Sequence, residues 1–399
     1  MSNIDRFLKY VKIDTQSDDT THVTPSTEKQ KDLGHLLVKE LKELGVEDAY
    51  MDEWGIVYGH LKGEGELTIG VNAHMDTALE VTGKNVKPRI ISNYDGGDII
   101  LNENIIMNVT NFPRLKKYVG NDLVITDGNT LLGADDKAGI GIIMSVLEYF
   151  HNHPEVKHHN ISICFTVDEE IGEGALHFSL EKMKADYAYT IDGGEIDCID
   201  YENFNAKAVK INIKGVSIHP GEGKNALINA LIVANDFINT LPHDETPFDS
   251  ELDQGYWHLN SIDGTSDEAT IEMILRDFEH DGMNRRVQQI EDGIKAVQSK
   301  YPKAQVSYSI RDQYLNMKPF VEKHPDIILK AEAALINNGI KPRHTKIRGG
   351  TDGATFSKMG LPTPNLGTGS YNHHGRFEFL VIQEYEKMIS VLVDILKIS

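Results

Sequence analysis

The acidic residues and histidines of this chain fall where metal-assisted acid–base chemistry would need them. His74-Met75-Asp76 sets an imidazole and a carboxylate two residues apart, so both face one side of an extended chain. Asp76 can then hydrogen-bond the ring nitrogen of His74 that a metal leaves free, which fixes the tautomer and makes a better ligand. Such a triplet carries little weight alone. Leu132-Gly133-Ala134-Asp135-Asp136-Lys137 leads from an irregular stretch into a helix start. Helix capping by Asp135 or Asp136 would account for it. The other reading makes Asp135 a carboxylate shared by two metal ions. Asp168-Glu169-Glu170 ends an apolar run. Three acids in a row ordinarily form a solvated turn, but at the end of a buried strand unpaired charge is costly and a metal ion would compensate it. Two adjacent glutamates can divide the labour, one binding metal and the other moving protons.

Asp192-Gly193-Gly194 again follows an apolar run, and Tyr371-Asn372-His373-His374-Gly375 follows a loop rich in Pro and Gly. Gly349-Gly350-Thr351-Asp352-Gly353 precedes a helical pattern. It reads as a tight turn with an N-cap, or as backbone N–H groups able to hold a substrate anion or carbonyl.

These clusters need elements to position them. Residues 26–45 predict a helix, with a capping box at Thr27 and Gln30, an apolar face of Leu33, Leu36, Leu37 and Leu41, and a stop at Gly45. Strands are expected at 67–73, 161–167 and 187–191, each ending at one of the acidic clusters, and a helix from about Asp136 carries Ile140, Ile143, Met144 and Leu147 on one face. Strands alternating with helices imply an α/β sheet covered on both faces, whose ligands bind beyond the carboxyl ends of the strands. The middle of the chain has another order: strand 208–213, helix 226–241, strands 256–262 and 269–277, helix 283–299 and strand 304–310. That β-α-β-β-α-β order is the split pattern of a small α+β domain. Residues 204–314 therefore read as a domain inserted between 1–203 and 315–399.

With 399 residues, two domains are the starting expectation. The net charge of −21 disfavours nucleic acid and anionic membrane surfaces as partners. Two cysteines, Cys164 and Cys198, make neither a disulfide framework nor a thiolate-rich metal site, and read as buried thiols. No apolar run is long enough to span a bilayer, and the first residues lack the apolar core of a signal peptide. The expected location is the cytoplasm.

In order, HMDT, LLGADDKAG, VDEEIGEG, YTIDGG, IHPG, IRGGTDG and NHHG, spread from residue 74 to residue 375, resemble the M20 family of co-catalytic zinc peptidases, and within it the tripeptide aminopeptidases. The likeness covers essentially the whole chain. It implies an α/β catalytic domain with a central mixed sheet covered by helices, and an inserted ferredoxin-like lid or dimerisation domain. It implies two zinc ions per subunit held by His74, Asp135, Glu170, Asp192 and His374, with Asp135 between them. Glu169 would be the general base and Asp76 the residue orienting His74, with His373 a bystander. It also implies a cis peptide between Asp135 and Asp136. His219, Arg276 and Arg348 would bind the substrate or its transition state, with His219 reaching the site of a partner subunit in a possible homodimer. More simply, His219 is a turn residue before Pro220 and Arg276 a surface partner of Asp277 or Glu279.

The implied reaction is release of the N-terminal residue from a tripeptide. Related enzymes cut dipeptides, act as carboxypeptidases or remove acyl groups from amino acids with the same metal chemistry. A non-catalytic metal-binding scaffold is a further alternative, which the presence of Glu169 disfavours. Oxygen and nitrogen ligands without thiolate suit catalytic rather than structural zinc. Three carboxylate ligands and two divalent ions leave one positive charge, which Glu169 balances. Paired ions lower the pKa of water from 15.7 towards about 7, and Glu169 would take the proton from that water and return it to the leaving amine.

Overall fold

The computed structural model describes residues 2–398. It divides into two compact units, one of residues 1–201, 317–346 and 351–399, the other of residues 202–316 with 347–350.

In the first unit a sheet of eight strands runs, from edge to edge, Tyr50–Met51, Val57–Leu61, Asn160–Thr166, Thr68–His74, Tyr187–Ile191, Asn365–Leu366, Cys198–Asn203 and Arg343–Ile347. It is mixed. Thr68–His74 pairs in parallel with Asn160–Thr166 and Tyr187–Ile191, whereas Val57–Leu61 and Cys198–Asn203 join antiparallel. The central strands are buried on both faces: Ile69, Val71 and Ala73 line one beside Ile161, Ile163 and Phe165, and Gly70 and Asn72 the other beside Ser162 and Cys164. The helix Ala134–Asn152 has the expected face of Ile140, Ile143, Met144 and Leu147 buried. It lies very close to the sheet. A Cβ at Gly139 would run into the Ile191 carbonyl oxygen, so only glycine fits there.

The predicted helix 26–45 forms as Gln30–Glu43, with Gly45 left-handed at φ 93° after its end. The capping box does not form. Lys29 is the N-cap without a side-chain bond, the Thr27 hydroxyl donates to the Gln16 carbonyl, and the Gln30 amide is turned towards Asp168. The region between residues 86 and 131, for which the sequence suggested no element, builds a second small sheet. Its strands are Ser370–Tyr371, Phe379–Val381, Leu123–Ile125 and Arg89–Ile91, with a hairpin of Ile99–Asn102 and Ile105–Met107 beside it. Tyr94, Leu115, Tyr118, Ile125, Tyr371 and Phe379 fill its core. No described helix is long and apolar enough to cross a membrane.

The second unit has the β-α-β-β-α-β order. Its antiparallel sheet runs Tyr256–Gly264, Glu268–Asp277, Asn205–Lys214, Gln305–Tyr314. Helices Ala230–Ile238 and His280–Lys300 pack on it through Val233, Phe237, Ile290 and Ile294 against Ile211, Ile271, Met273 and Leu275. The first of these helices starts later than its apolar pattern suggested. Asn229 is the cap, its side-chain oxygen accepting the N–H groups of Leu231 at 2.9 Å and Ile232 at 3.4 Å. Both cysteines are buried and free.

Candidate metal centre

Three neighbouring parallel strands deliver the acidic clusters to one edge of the central sheet. His74 is the last residue of Thr68–His74, Asp168-Glu169-Glu170 follows Asn160–Thr166, and Asp192 follows Tyr187–Ile191. Asp135 enters from the start of the helix Ala134–Asn152, where Asp135 and Asp136 have non-helical backbone angles and are joined by a cis peptide bond. Gly133, left-handed at φ 76°, precedes this kink, and Asp136 caps the regular helix that starts after it, its carboxylate accepting the Gly139 N–H at 3.1 Å.

The Asp135 carboxylate is the meeting point. One oxygen lies 3.0 Å from His74 Nε2, the other 3.4 Å from both His374 Nε2 and His373 Nδ1. His374 Nε2 is also 3.0 Å from Glu170 Oε2. His373, expected to be a bystander, is thus as near Asp135 as His374 is. Its Nε2, however, shares a hydrogen bond with Ser370 Oγ at 2.8 Å. Asp192 shares with His74 and Asp136 a group of atoms within 4.8 Å of one another, as do His74, Asp135 and Glu170. Asp136 is otherwise engaged with the backbone, accepting the N–H groups of His74 at 3.3 Å and Gly139 at 3.1 Å.

Asp76 is fully buried and stands 3.3 Å from His74 Nδ1, at ion-pair distance but outside hydrogen-bond geometry. The sequence did not suggest its second role. Its two oxygens accept the N–H groups of Glu169 at 3.0 Å and Glu170 at 3.1 Å. One carboxylate thus links His74 to the loop of the two glutamates. Asp168 holds that loop from below. It is left-handed at φ 58°, accepts from Ser26 N at 2.7 Å and Gln30 Nε2 at 2.6 Å, and donates its N–H to Gln30 Oε1 at 3.2 Å. Asp352, read from the sequence as part of a turn, is buried and accepts from the Thr166 hydroxyl. A Cβ at Gly174 would come within 2.5 Å of Asp352 Oδ1 and 2.9 Å of the Glu169 backbone, which explains a glycine in that loop.

The electrostatics follow from crowding. Asp76, Asp135, Asp136, Glu169, Glu170, Asp192 and Asp352 face three imidazoles. Burial first, then the neighbouring Asp135, pushes Glu170 up to about 7 and Asp192 up to about 6. Burial also raises Glu169 well above the carboxylate range. For Asp135 burial acts in the same direction, but His373, His374 and His74 overcome it and hold the group well below that range. Bonds to Asp135 and Glu170 lift His374 to about 11. Buried carboxylates in excess, with Glu170 Oε1 lacking a hydrogen-bond partner, form a donor set that divalent cations complement. The residues present therefore fit a metal pair.

A third acidic group, Glu195, Asp197 and Cys198, does not. Arg343 already neutralises it, with Nε 2.7 Å from Asp197 and Nη2 2.6 Å from Glu195.

Of the residues assigned from the second unit, His219 is exposed in a turn and its Nδ1 accepts the Gly221 N–H at 3.2 Å. Arg276 is not the surface partner of Asp277 or Glu279. It is buried, donates to the Leu275 carbonyl at 3.0 Å and Gln313 Oε1 at 2.9 Å, and lies 5.2 Å over the Tyr314 ring, while Asp277 pairs with Arg286 at 3.0 Å. Arg348 donates to the carbonyls of Leu252 at 2.6 Å and Gln254 at 3.1 Å and lies 5.2 Å over the Phe204 ring. Both guanidinium groups hold their own unit together.

A mixed α/β sheet with candidate metal-binding acids at its strand ends, on a chain that also builds a split α+β unit, is an architecture suited to a metal-dependent hydrolase. The chain belongs to peptidase family M20/M25/M40, whose model matches residues 125–398. It is 47% identical to peptidase T of Clostridium perfringens over 397 residues, 99% of this chain and 98% of that protein. It is 46% identical to peptidase T of Caldanaerobacter subterraneus over 400 residues, again 99% and 98%. Among solved structures, the fold matches a tripeptidase from Staphylococcus aureus with a TM-score of 0.79 at 21% identity, covering 98% of this chain and 96% of that one. A dinuclear metal-binding M20 peptidase from Bacillus subtilis matches with a TM-score of 0.65 at 13% identity, with the same coverage.

Proposed function

We propose that this chain is a cytoplasmic metallo-aminopeptidase that releases the N-terminal residue from tripeptides and uses two zinc ions per subunit. Identities of 46% and 47% along nearly the whole length to proteins named peptidase T support the substrate class. The observation that carries the metal assignment is the Asp135 carboxylate, with His74 on one oxygen and His374 on the other. That is the arrangement a shared carboxylate needs. His74 and Asp192 would complete one position, Glu170 and His374 the other. His374 is preferred to His373 because it also reaches Glu170.

When bound, the metal pair would supply Lewis acidity that makes water more acidic and polarises the scissile carbonyl. The rest falls to the chain's own groups. Glu169 is the general base. Its backbone N–H is fixed by Asp76, so its carboxylate is presented from an anchored loop. It would take the proton of the attacking water and deliver it to the departing amine. Asp76 orients His74 from the Nδ1 side. From the inserted unit, here assigned as lid, His219 would donate to the developing oxyanion across a homodimer. Arg276 and Arg348 rank second for that role, since carbonyl groups and Gln313 already hold them.

The test uses metal-loaded protein with di-, tri- and tetrapeptides, an N-acetylated tripeptide and N-acyl amino acids. Cleavage confined to tripeptides with a free amine is expected. Preference for dipeptides, for a free carboxylate or for the acylated compounds would move the assignment to a dipeptidase, carboxypeptidase or deacylase.

A further inference from the structure

Glu378 lies four residues beyond His374 and is 1% exposed. A carboxylate at such depth needs partners, and this one has three, all backbone N–H groups from the loop that carries Asp135. Oε2 accepts from Leu132 at 2.8 Å and Gly133 at 2.7 Å, and Oε1 accepts from Asp135 itself at 3.0 Å. Charge-assisted bonds of this kind are about twice as strong as neutral ones.

The topology explains why this link matters. The segment 372–378, with His373 and His374, is closed by the antiparallel strands Ser370–Tyr371 and Phe379–Val381. The latter strand pairs with Leu123–Ile125, Phe379 opposite Ile125. Two loops therefore leave adjacent strands, one running through 126–135 to Asp135, the other holding His374. Neither loop is regular structure. Gly133 is left-handed at φ 76°, Asn372 at φ 58° and His374 at φ 60°, and for the last two such angles are sparsely populated. Glu378 is the side chain that ties one loop to the other.

We propose that Glu378 is a positioning residue for the metal centre: by gripping the Leu132–Asp135 backbone from the root of the His374 loop, it sets the distance between Asp135 and His374. Its two oxygens are committed to backbone N–H groups, so its role is to position and not to ligate. The inference rests on the metal-centre reading above, and goes beyond it by naming what holds two of the proposed ligands in register.

The experiment compares E378Q and E378D with wild type and with E40Q. Glu40 is a part-buried carboxylate bonded to Arg6, Lys9 and Tyr10, on none of the ligand-bearing segments, so E40Q reports general destabilisation. Zinc affinity of the stripped proteins is measured by chelator competition, the cobalt-substituted proteins are examined by visible absorption, and thermal unfolding is followed without metal. Glutamine keeps the size of the side chain but offers only one oxygen, so the grip on the loop is broken. Zinc binding to E378Q should weaken by roughly 10–100-fold with an altered cobalt spectrum, as for other residues that orient ligands, and kcat should fall with KM little changed. E378D should lie between E378Q and wild type, and it carries the comparison if E378Q does not fold. E40Q should lose stability with wild-type affinity and spectrum. Wild-type affinity and spectrum in E378Q and E378D, or losses no greater than in E40Q, would overturn the inference alone. Wild-type protein that takes up fewer than two ions would overturn it together with the reading beneath it.

Discussion

Replacing Asp76 by asparagine tests the link between the first histidine and the glutamate loop. Asp76 is fully buried, with both oxygens accepting N–H groups, from Glu169 at 3.0 Å and Glu170 at 3.1 Å. Asparagine keeps one acceptor. Its amide nitrogen would face the other N–H, donor against donor. A hydrogen bond to a charged group is worth about 1.5–3 kcal/mol, so metal-free Asp76→Asn should be destabilised by roughly 2–3 kcal/mol. The negative charge 3.3 Å from His74 Nδ1 is lost as well, which should weaken zinc binding by roughly 10–100-fold. The two roles separate under saturating metal. If Asp76 only oriented His74, added zinc would restore full turnover. Because it also fixes Glu169, kcat on a tripeptide should stay about tenfold or more below wild type, in line with partial loss of general-base help. The assay pairs denaturant unfolding of the stripped protein with chelator competition and kcat at saturating zinc. Full recovery of kcat would refute the loop role, and unchanged zinc affinity would refute the role at His74.

Glu169→Ala should lower kcat by about 10²–10⁴-fold while both ions remain bound, checked by elemental analysis beside turnover; near-normal rates would remove Glu169 as base. N-acetylation of a good tripeptide should abolish cleavage and C-terminal amidation should cost less, measured as kcat/KM for each. Mixing His219→Ala with Glu169→Ala subunits should give activity above either variant alone, since one composite site would be intact; no recovery after verified subunit exchange would refute action across a dimer. The last prediction concerns pH. Burial and its neighbours raise Glu170 to about 7 and Asp192 to about 6 in the folded, metal-free protein, so between the ordinary carboxylate range and pH 7 the folded state binds more protons than the unfolded. Stability must then fall as pH rises through that window. His374, raised to about 11, adds to the fall above its ordinary value. Stripped protein should therefore melt lower at pH 8 than at pH 5, and zinc should reverse the order; a stripped protein more stable at pH 8 would contradict the shifts.

The sequence by itself determined the alternation of elements. Largely apolar runs ending in His74, Asp168 and Asp192 marked three strands because strands covered on both faces bury nearly every side chain, and their ends are where charge can emerge. The order β-α-β-β-α-β was legible for the same reason of periodicity. The residues of the candidate site were legible as short motifs, since each lies at the end of an element whose pattern is local. What only the tertiary structure decided is which polar groups meet. Gln30 looked like a cap and instead reaches Asp168, 138 residues away in sequence. Asp76 holds Glu169 and Glu170 across 93 and 94 residues. Arg276 donates to Gln313 across 37 residues and Arg348 to the Leu252 carbonyl across 96. The small sheet around Leu123–Ile125 went unread because its strands are three residues or fewer and leave no period to count. Chain periodicity records which face of an element is buried. A buried carboxylate's partner is chosen by whichever backbone N–H the fold brings within hydrogen-bond reach, and local sequence holds no record of that distance.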